Sequence, residues 1–174
     1  DMSSADVRSL FGMVLQDTWL IEDAIYDNIR YGSEGKAIVE IRQAAKSAQT
    51  HHFIEALPGG YQFMLSENGL NVSQGQRQLL TISRAMLADR PMLILDEATS
   101  SVDTRTEVLI QNAMEKLMEG RTSFVIAHRL STIKDADIIF VMDDGNVIEQ
   151  GTHHELLEKE GFYARLYRSQ FDVS

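Results

Sequence analysis

The sequence predicts an α/β fold in which a mainly helical region precedes a parallel sheet. Two observations carry this. Three short apolar runs, Met92-Leu93-Ile94-Leu95, Phe124-Val125-Ile126-Ala127 and Ile138-Ile139-Phe140-Val141-Met142, have the length of buried strands. Between them lie stretches of helical periodicity, the alternation expected of parallel strands joined by helical crossovers. The chain has 174 residues, about one domain by length, and 44% hydrophobic against 24% charged residues support a packed core. No apolar run approaches the ~18 residues of a membrane helix, and Asp1 to Leu10 lacks the apolar stretch of a signal peptide.

Each element has a local reason. Phe11 to Gln16 reads as a short apolar strand ending in a polar residue. Residues from about Thr18 to Ala88 read as mainly helical, with Ile41, Ala44, Ala45 and Ala48 on one face of a helix over Glu40 to Ala48. Pro58-Gly59-Gly60 is a turn. Ser73 precedes a long helical run with Leu79, Ile82, Ser83 and Met86 on one side, and Pro91 stops it. Met92 to Leu95 is then a buried strand. Ile110, Ala113, Met114 and Leu117 form the apolar stripe of a helix from Thr104 to Met118, and Gly120 sits where a helix-ending glycine belongs. Thr122 to Ala127 is another buried strand. Ile138 to Met142, Asp144-Gly145 and Val147 to Glu149 read as a hairpin, because Asp-Gly suits the positive φ angles of a tight turn. Thr152 to Lys159 and Phe162 to Gln170 close the chain as amphipathic helices.

Composition excludes several chemistries. With no cysteine there is no disulfide, zinc-thiolate site or cysteine nucleophile. Sixteen Lys+Arg against 26 Asp+Glu leave a formal charge of −10, which opposes a broad nucleic-acid surface.

The chemistry concentrates in a few places. Met92 to Glu97 is an apolar strand that delivers two acids at its carboxyl end, the edge where ligands bind in open α/β sheets. Asp96 suits a hydrated Mg²⁺, a hard cation that takes oxygen ligands. Glu97 suits the polarisation of an attacking water. In Asn71-Val72-Ser73-Gln74-Gly75-Gln76-Arg77-Gln78, a serine and a glycine sit at a helix start, where free N–H groups and the dipole favour phosphate and a glycine admits close backbone approach. Alone, this stretch reads better as an ordinary N-cap at Ser73. His128 directly follows an apolar strand, where an imidazole can bond a terminal phosphate or relay a proton. Alone, His128 and Gln16 are both weak signals.

In order, Gln16, Val72-Ser73-Gln74-Gly75-Gln76, Leu95-Asp96-Glu97, Ser100-Ser101-Val102-Asp103 and His128 resemble the nucleotide-binding domain of ATP-binding cassette (ABC) transporters. Gly120 to Ile133 resembles that family's switch segment, and Val147 to Leu157 resembles the tail of its exporter branch. The resemblance covers essentially the whole chain and implies a P-loop NTPase-like ABC ATPase core with a mainly helical subdomain. On this reading residues from about 18 to 88 form the helical subdomain, and those from about 89 to 174 form half of a RecA-like core.

The resemblance also implies roles. Gln16 is similar to the glutamine that contacts Mg²⁺ and the attacking water and senses the transmembrane domain. Ser73, Gln74, Gly75 and Gln76 lie in the signature motif, which contacts the γ-phosphate of ATP held by the opposite subunit. Asp96 resembles the Walker B aspartate and Glu97 the catalytic glutamate. Ser100 to Asp103 resembles the D-loop across the dimer interface, and His128 the switch histidine. ATP and Mg²⁺ are the implied cofactors. The implied partners are a second nucleotide-binding domain and transmembrane domains on the same parent chain, at the cytoplasmic face of a membrane, with no nucleic acid.

Two departures bear on function. Gln74 stands where the usual signature has a glycine. No G-x-x-x-x-G-K-[ST] phosphate loop occurs, and Gly32-Ser33-Glu34-Gly35-Lys36-Ala37 has the wrong spacing and no Mg²⁺-binding hydroxyl. In the family that loop lies upstream of the position matching Gln16. The fold is therefore expected to be incomplete at the N-terminus and the chain alone to be inactive. The alternative is a truncated, non-catalytic module that donates its signature motif to a partner's ATP.

Other features read plainly. His51-His52 and His153-His154 lack metal-ligand spacing. Met86, Met92 and Met114 are core filler. Asp143-Asp144 belongs to a hairpin turn. Trp19 packs on the helical region or faces the transmembrane partner. Glu67 lies where exporters carry a loop that touches the transmembrane part.

Overall fold

A computed structural model describes residues 3–97 and 102–171. Its contacts divide the chain into two compact units, Asp1–Ile126 and Ala127–Ser174.

In the first unit, β1 (Phe11–Val14), β2 (Met92–Asp96) and β3 (Thr122–Ile126) form a parallel sheet in that order. Val14 lies opposite Leu95, and Leu95 opposite Val125. The expected strand over Phe11 to Gln16 is therefore shorter, and Gln16 lies in a bend beyond the ladder. One face of the sheet is covered: Val14, Leu93 and Leu95 are buried against Leu79, Ile82, Ile110, Ala113 and Leu117 of α5 (Gln74–Ala88) and α6 (Thr104–Met118). On the other face, Met13, Phe124 and Ile126 are 51%, 49% and 55% exposed. The second apolar run was expected as a buried strand. Instead it is covered on one side only, because the described residues supply helices to one face.

The helical region runs between β1 and β2. It begins with α2 (Ile25–Arg30), α3 (Ile38–Ser47) and α4 (His51–Ala56) and ends with α5. Leu20, Ile25, Ile29, Ile41, Ile54, Tyr61 and Leu65 form its core, together with Leu80 and Leu87 of α5. Thus α5 belongs to two cores, which is why it is buried around most of its girth, Gln78, Thr81 and Ser83 included. It ends at Ala88, where Asp89 turns left-handed at φ 48°, two residues ahead of Pro91. Met114 is buried in the sheet core, and Met86 packs against both cores. The helices α1 (Ser4–Ser9), α2 and α4 are six residues each, too short for an apolar stripe to repeat in sequence.

The second unit contains α7 (Leu130–Lys134), an antiparallel hairpin of β4 (Ile139–Asp143) and β5 (Asn146–Gly151), then α8 (His153–Glu158) and α9 (Phe162–Phe171). Asp144 and Gly145 take φ angles of 43° and 76°, the positive pair that the Asp-Gly reading requires. Val141, Leu156 and Tyr163 form the small core.

Candidate functional site

Parallel pairing of β1 with β2 decides what stands at the carboxyl edge of the sheet. Because Val14 faces Leu95, the chain carries Gln16 past the end of β1 as it carries Glu97 past the end of β2. Asp96 is the last residue of β2, opposite Ile126 of β3, and it is half-buried. The Glu97 N–H donates to the Ile126 carbonyl at 3.2 Å, so the backbone under Glu97 is held by the neighbouring strand. One amide and two carboxylates thus leave adjacent strands at one edge, with Gln16 exposed.

A second group of residues starts two helices. Ser73 caps α5: its Oγ accepts from the Gln76 N–H at 3.2 Å, and its own N–H donates to Gln76 Oε1 at 2.9 Å. This reciprocal box occupies the side chains of both residues. Gly75, the second residue of α5, is buried. A Cβ there would overlap the Thr106 methyl of α6 and stand 3.0 Å from Val102 Cγ1. The sequence expects Gly75 to admit an anion. Within the chain, the close approach it serves is that of α6. Asp103 caps α6 by accepting from the Thr106 N–H at 3.0 Å, and that bond holds its carboxyl below the usual range. The starts of the two helices are therefore joined through Thr106.

The remaining predicted residues lie elsewhere. Ser100 falls outside the described residues. His128 is exposed and belongs to the second unit, two residues past β3. Glu67 is exposed and begins a 3₁₀ turn, Glu67–Gly69, in which Asn68 has φ 53° and Gly69 is buried. Trp19 is 51% exposed and stands edge-on to Tyr31, with centroids 5.2 Å apart.

One histidine of each pair serves packing, while His52 and His154 are exposed. His51 Nδ1 lies 2.9 Å from the Tyr61 hydroxyl, and burial pushes the Tyr61 phenol up to about 12. His153 Nδ1 lies 2.7 Å from the Tyr163 hydroxyl, and burial pushes its imidazole down. Among the described residues, no three His, Cys, Asp or Glu converge as a metal site.

Sequence reasoning missed Arg77, Arg84 and Asn28. Arg77 Nη1 donates to the Val72 carbonyl at 3.1 Å and so braces the loop ahead of Ser73. Asn28 is buried within α2 and bonds the chain around Ile21. A buried asparagine in a short helix was the available signal, since such an amide must find backbone partners.

The family model for ABC transporters matches residues 1–100, more than half of the chain. The chain belongs to the ABC transporter family. Relatives match almost end to end. The ABC transporter ATP-binding protein YfiC of Bacillus subtilis is 53% identical over 98% of the chain. A fatty acid ABC transporter ATP-binding/permease protein of Mycobacterium bovis is 52% identical over 97%. An ATP-dependent lipid A-core flippase of Pseudoalteromonas atlantica is 51% identical over 98%. The chain spans only 28%, 27% and 29% of these three proteins. A bacterial Atm1-family ABC exporter solved with ATP bound superposes with a TM-score of 0.86 at 42% identity, over 98% of this chain and 30% of that one. The α/β architecture is that of an ABC ATPase, and no described helix is long and apolar enough to cross a membrane.

Proposed function

We propose that this chain is the carboxyl-terminal part of the ATP-hydrolysing domain of an ABC exporter. The carrying observation is the parallel register that sends Gln16, Asp96 and Glu97 off one sheet edge. Residues 18–88 act as the helical subdomain and residues 89–174 as half of the nucleotide-binding core.

The donor set fits Mg²⁺-ATP. The Asp96 carboxylate and the Gln16 amide oxygen are hard oxygen ligands, and two protein ligands leave places for water and phosphate. A Mg²⁺ held by these two residues would supply neutralisation of charge on the phosphate oxygens. Glu97 polarises the attacking water, and the strand bond under its N–H restricts where its carboxylate reaches. His128 bonds the γ-phosphate. Ser73, Gln74, Gly75 and Gln76 present the start of α5 to ATP held by a second nucleotide-binding domain, as its free N–H groups favour. Ser100 and Asp103 belong to the loop facing that partner.

The parent carries its membrane domains on the same chain, as the permease name of one relative and the small share of it that is matched suggest. The domain then works at the cytoplasmic face. Relatives of nearly equal identity are named for different cargos, fatty acid at 52% and lipid A-core at 51%, so this part of the protein does not choose the cargo. The bare sheet face of Met13, Phe124 and Ile126, with the missing phosphate loop, supports an inactive isolated chain whose phosphate cradle comes from outside these residues.

The test compares ATP hydrolysis by this chain with that of the longer protein containing it. Activity in the longer protein alone is expected. A longer protein with intact Gln16, Asp96 and Glu97 that binds but never hydrolyses ATP would leave the donor-module alternative.

A further inference from the structure

Arg84 lies within α5, nearly three turns beyond Ser73, and its guanidinium holds three segments together. Its Nη1 donates to the Trp19 carbonyl at 3.0 Å, its Nε to the Asn28 carbonyl at 2.8 Å, and its Nη2 to Asn28 Oδ1 at 3.3 Å. The guanidinium carbon stands 5.9 Å from the Trp19 ring centre and 5.2 Å from that of Tyr31. Asn28 extends the hold. Its Oδ1 also accepts from the Ile21 N–H at 2.9 Å, and its Nδ2 donates to the Ile21 and Ala24 carbonyls at 3.0 and 3.2 Å. Residues 19–24 are thereby tied to α2 and α5.

Just upstream the picture changes. Among the described residues, Gln16, Asp17 and Thr18 make no hydrogen bond, and Gln16 and Asp17 are exposed. From Trp19 back to Gln16 is three residues, which reach at most roughly 11 Å when extended. Arg84 thus fixes Trp19, the nearest anchored residue downstream of Gln16, to α5.

We propose that Arg84 is a positioning residue for ATP hydrolysis: it locks residues 19–24 to the helix that begins at Ser73 and so fixes the anchor from which the chain reaches back to Gln16. The proposal rests on the functional reading above only in what Gln16 then does. The arrangement demands arginine. Among the described residues its acceptors are neutral oxygens placed around a plane that also lies against two rings. A lysine keeps the charge but has neither the plane nor the fork.

Trp19 is the only tryptophan of the chain, so its fluorescence reports on the clamp directly. In the full chain, Arg84→Lys should still melt cooperatively, while Trp19 emission shifts to the red and acrylamide quenching rises. Unchanged emission and quenching in folded Arg84→Lys would overturn the clamp. Should that variant not fold, Tyr31→Leu removes one half-exposed wall and should raise quenching to a smaller degree, and no rise would overturn it equally. In the longer ATP-hydrolysing protein, Arg84→Lys should lower kcat roughly tenfold or more with KM for ATP unchanged, the signature of misplacement. Parental kcat in the folded variant would overturn the positioning role and leave the proposed function standing. A parental protein that hydrolyses no ATP would remove that function and the positioning role together, while the fluorescence result still decides whether the clamp exists.

Discussion

At the residue scale, Glu97 and Gly75 show opposite kinds of constraint. Glu97 is placed by what its backbone touches, the Ile126 carbonyl, while the role proposed for it belongs to its side chain. In the longer protein, Glu97→Gln should retain ATP binding and cut turnover by roughly 100-fold or more, the span of a lost general base. Single-turnover hydrolysis with a parallel nucleotide-binding assay checks this, and parental turnover would reassign the water-polarising role. Gly75 is needed for what it lacks. Gly75→Ala drives a methyl group into Thr106 and should destabilise the first unit by about 1–3 kcal/mol. Thr106→Ser removes the offending methyl and should restore part of that loss, which a double-mutant cycle in denaturant measures. Additive effects would mean that the two residues do not meet. Ser73 was legible as a polar residue at a helix start, and Asp103 only through the family resemblance. That their caps meet through Thr106 was not, because the contact joins residues 31 apart in sequence, Gly75 and Thr106.

At the element scale, the start of α9 is organised from another element. Both carboxylate oxygens of Glu149, on β5, accept backbone N–H groups there, Phe162 at 2.6 Å and Tyr163 at 2.9 Å. Gly161 lies beside them, and a Cβ there would displace the Glu149 carboxylate from this position. The Tyr163 and Phe162 bonds hold the Glu149 carboxyl below its usual range. A lowered carboxyl contributes stability above the ordinary glutamate range and loses it as pH falls through the folded value. Protection of the first-turn amides of α9 against hydrogen exchange should therefore fall as pH drops below the ordinary glutamate range, and Glu149→Ala should show that loss of protection already at neutral pH. His153, on α8, acts on the same helix at higher pH. It faces Tyr163 and Tyr167 on α9, His154 on its own helix and Lys134 on α7. Burial, then His154 and Lys134, lowers its imidazole. The native state thus prefers the neutral ring, so stability is full above the ordinary histidine range and is lost as pH falls from about 6.5 towards the folded value. His153→Phe should flatten that part of the pH profile while leaving the acid limb due to Glu149. Apolar stripes announced the long helices α5 and α6 in the sequence. They were silent on α2, α4 and α7, whose five or six residues complete fewer than two turns.

At the scale of the whole molecule, the notable feature is a parallel sheet with one uncovered face. Parallel sheets are normally covered on both sides, and Met13, Phe124 and Ile126 form an apolar surface on this one. The isolated chain should bind a hydrophobic dye, and the longer protein should not. Phe124→Ser with Ile126→Thr should reduce dye binding by the isolated chain without changing its sheet signal in circular dichroism. Weak dye binding by the isolated chain would argue that the face is already covered. By itself, the sequence determined the family, the strands and long helices, and the candidate chemistry, because all of these rest on local signals: apolar periodicity, helix-start residues and ordered short motifs. Only the tertiary structure decided which side of each strand is covered, that Gln16 leaves the sheet beside Glu97, that Gly75 makes room for α6, and that Arg84 ties Trp19 to Asn28. Those facts depend on strand register and on contacts between residues far apart in the chain. A local pattern sets which residues seek burial or a partner, and the packing of the whole chain selects the partner.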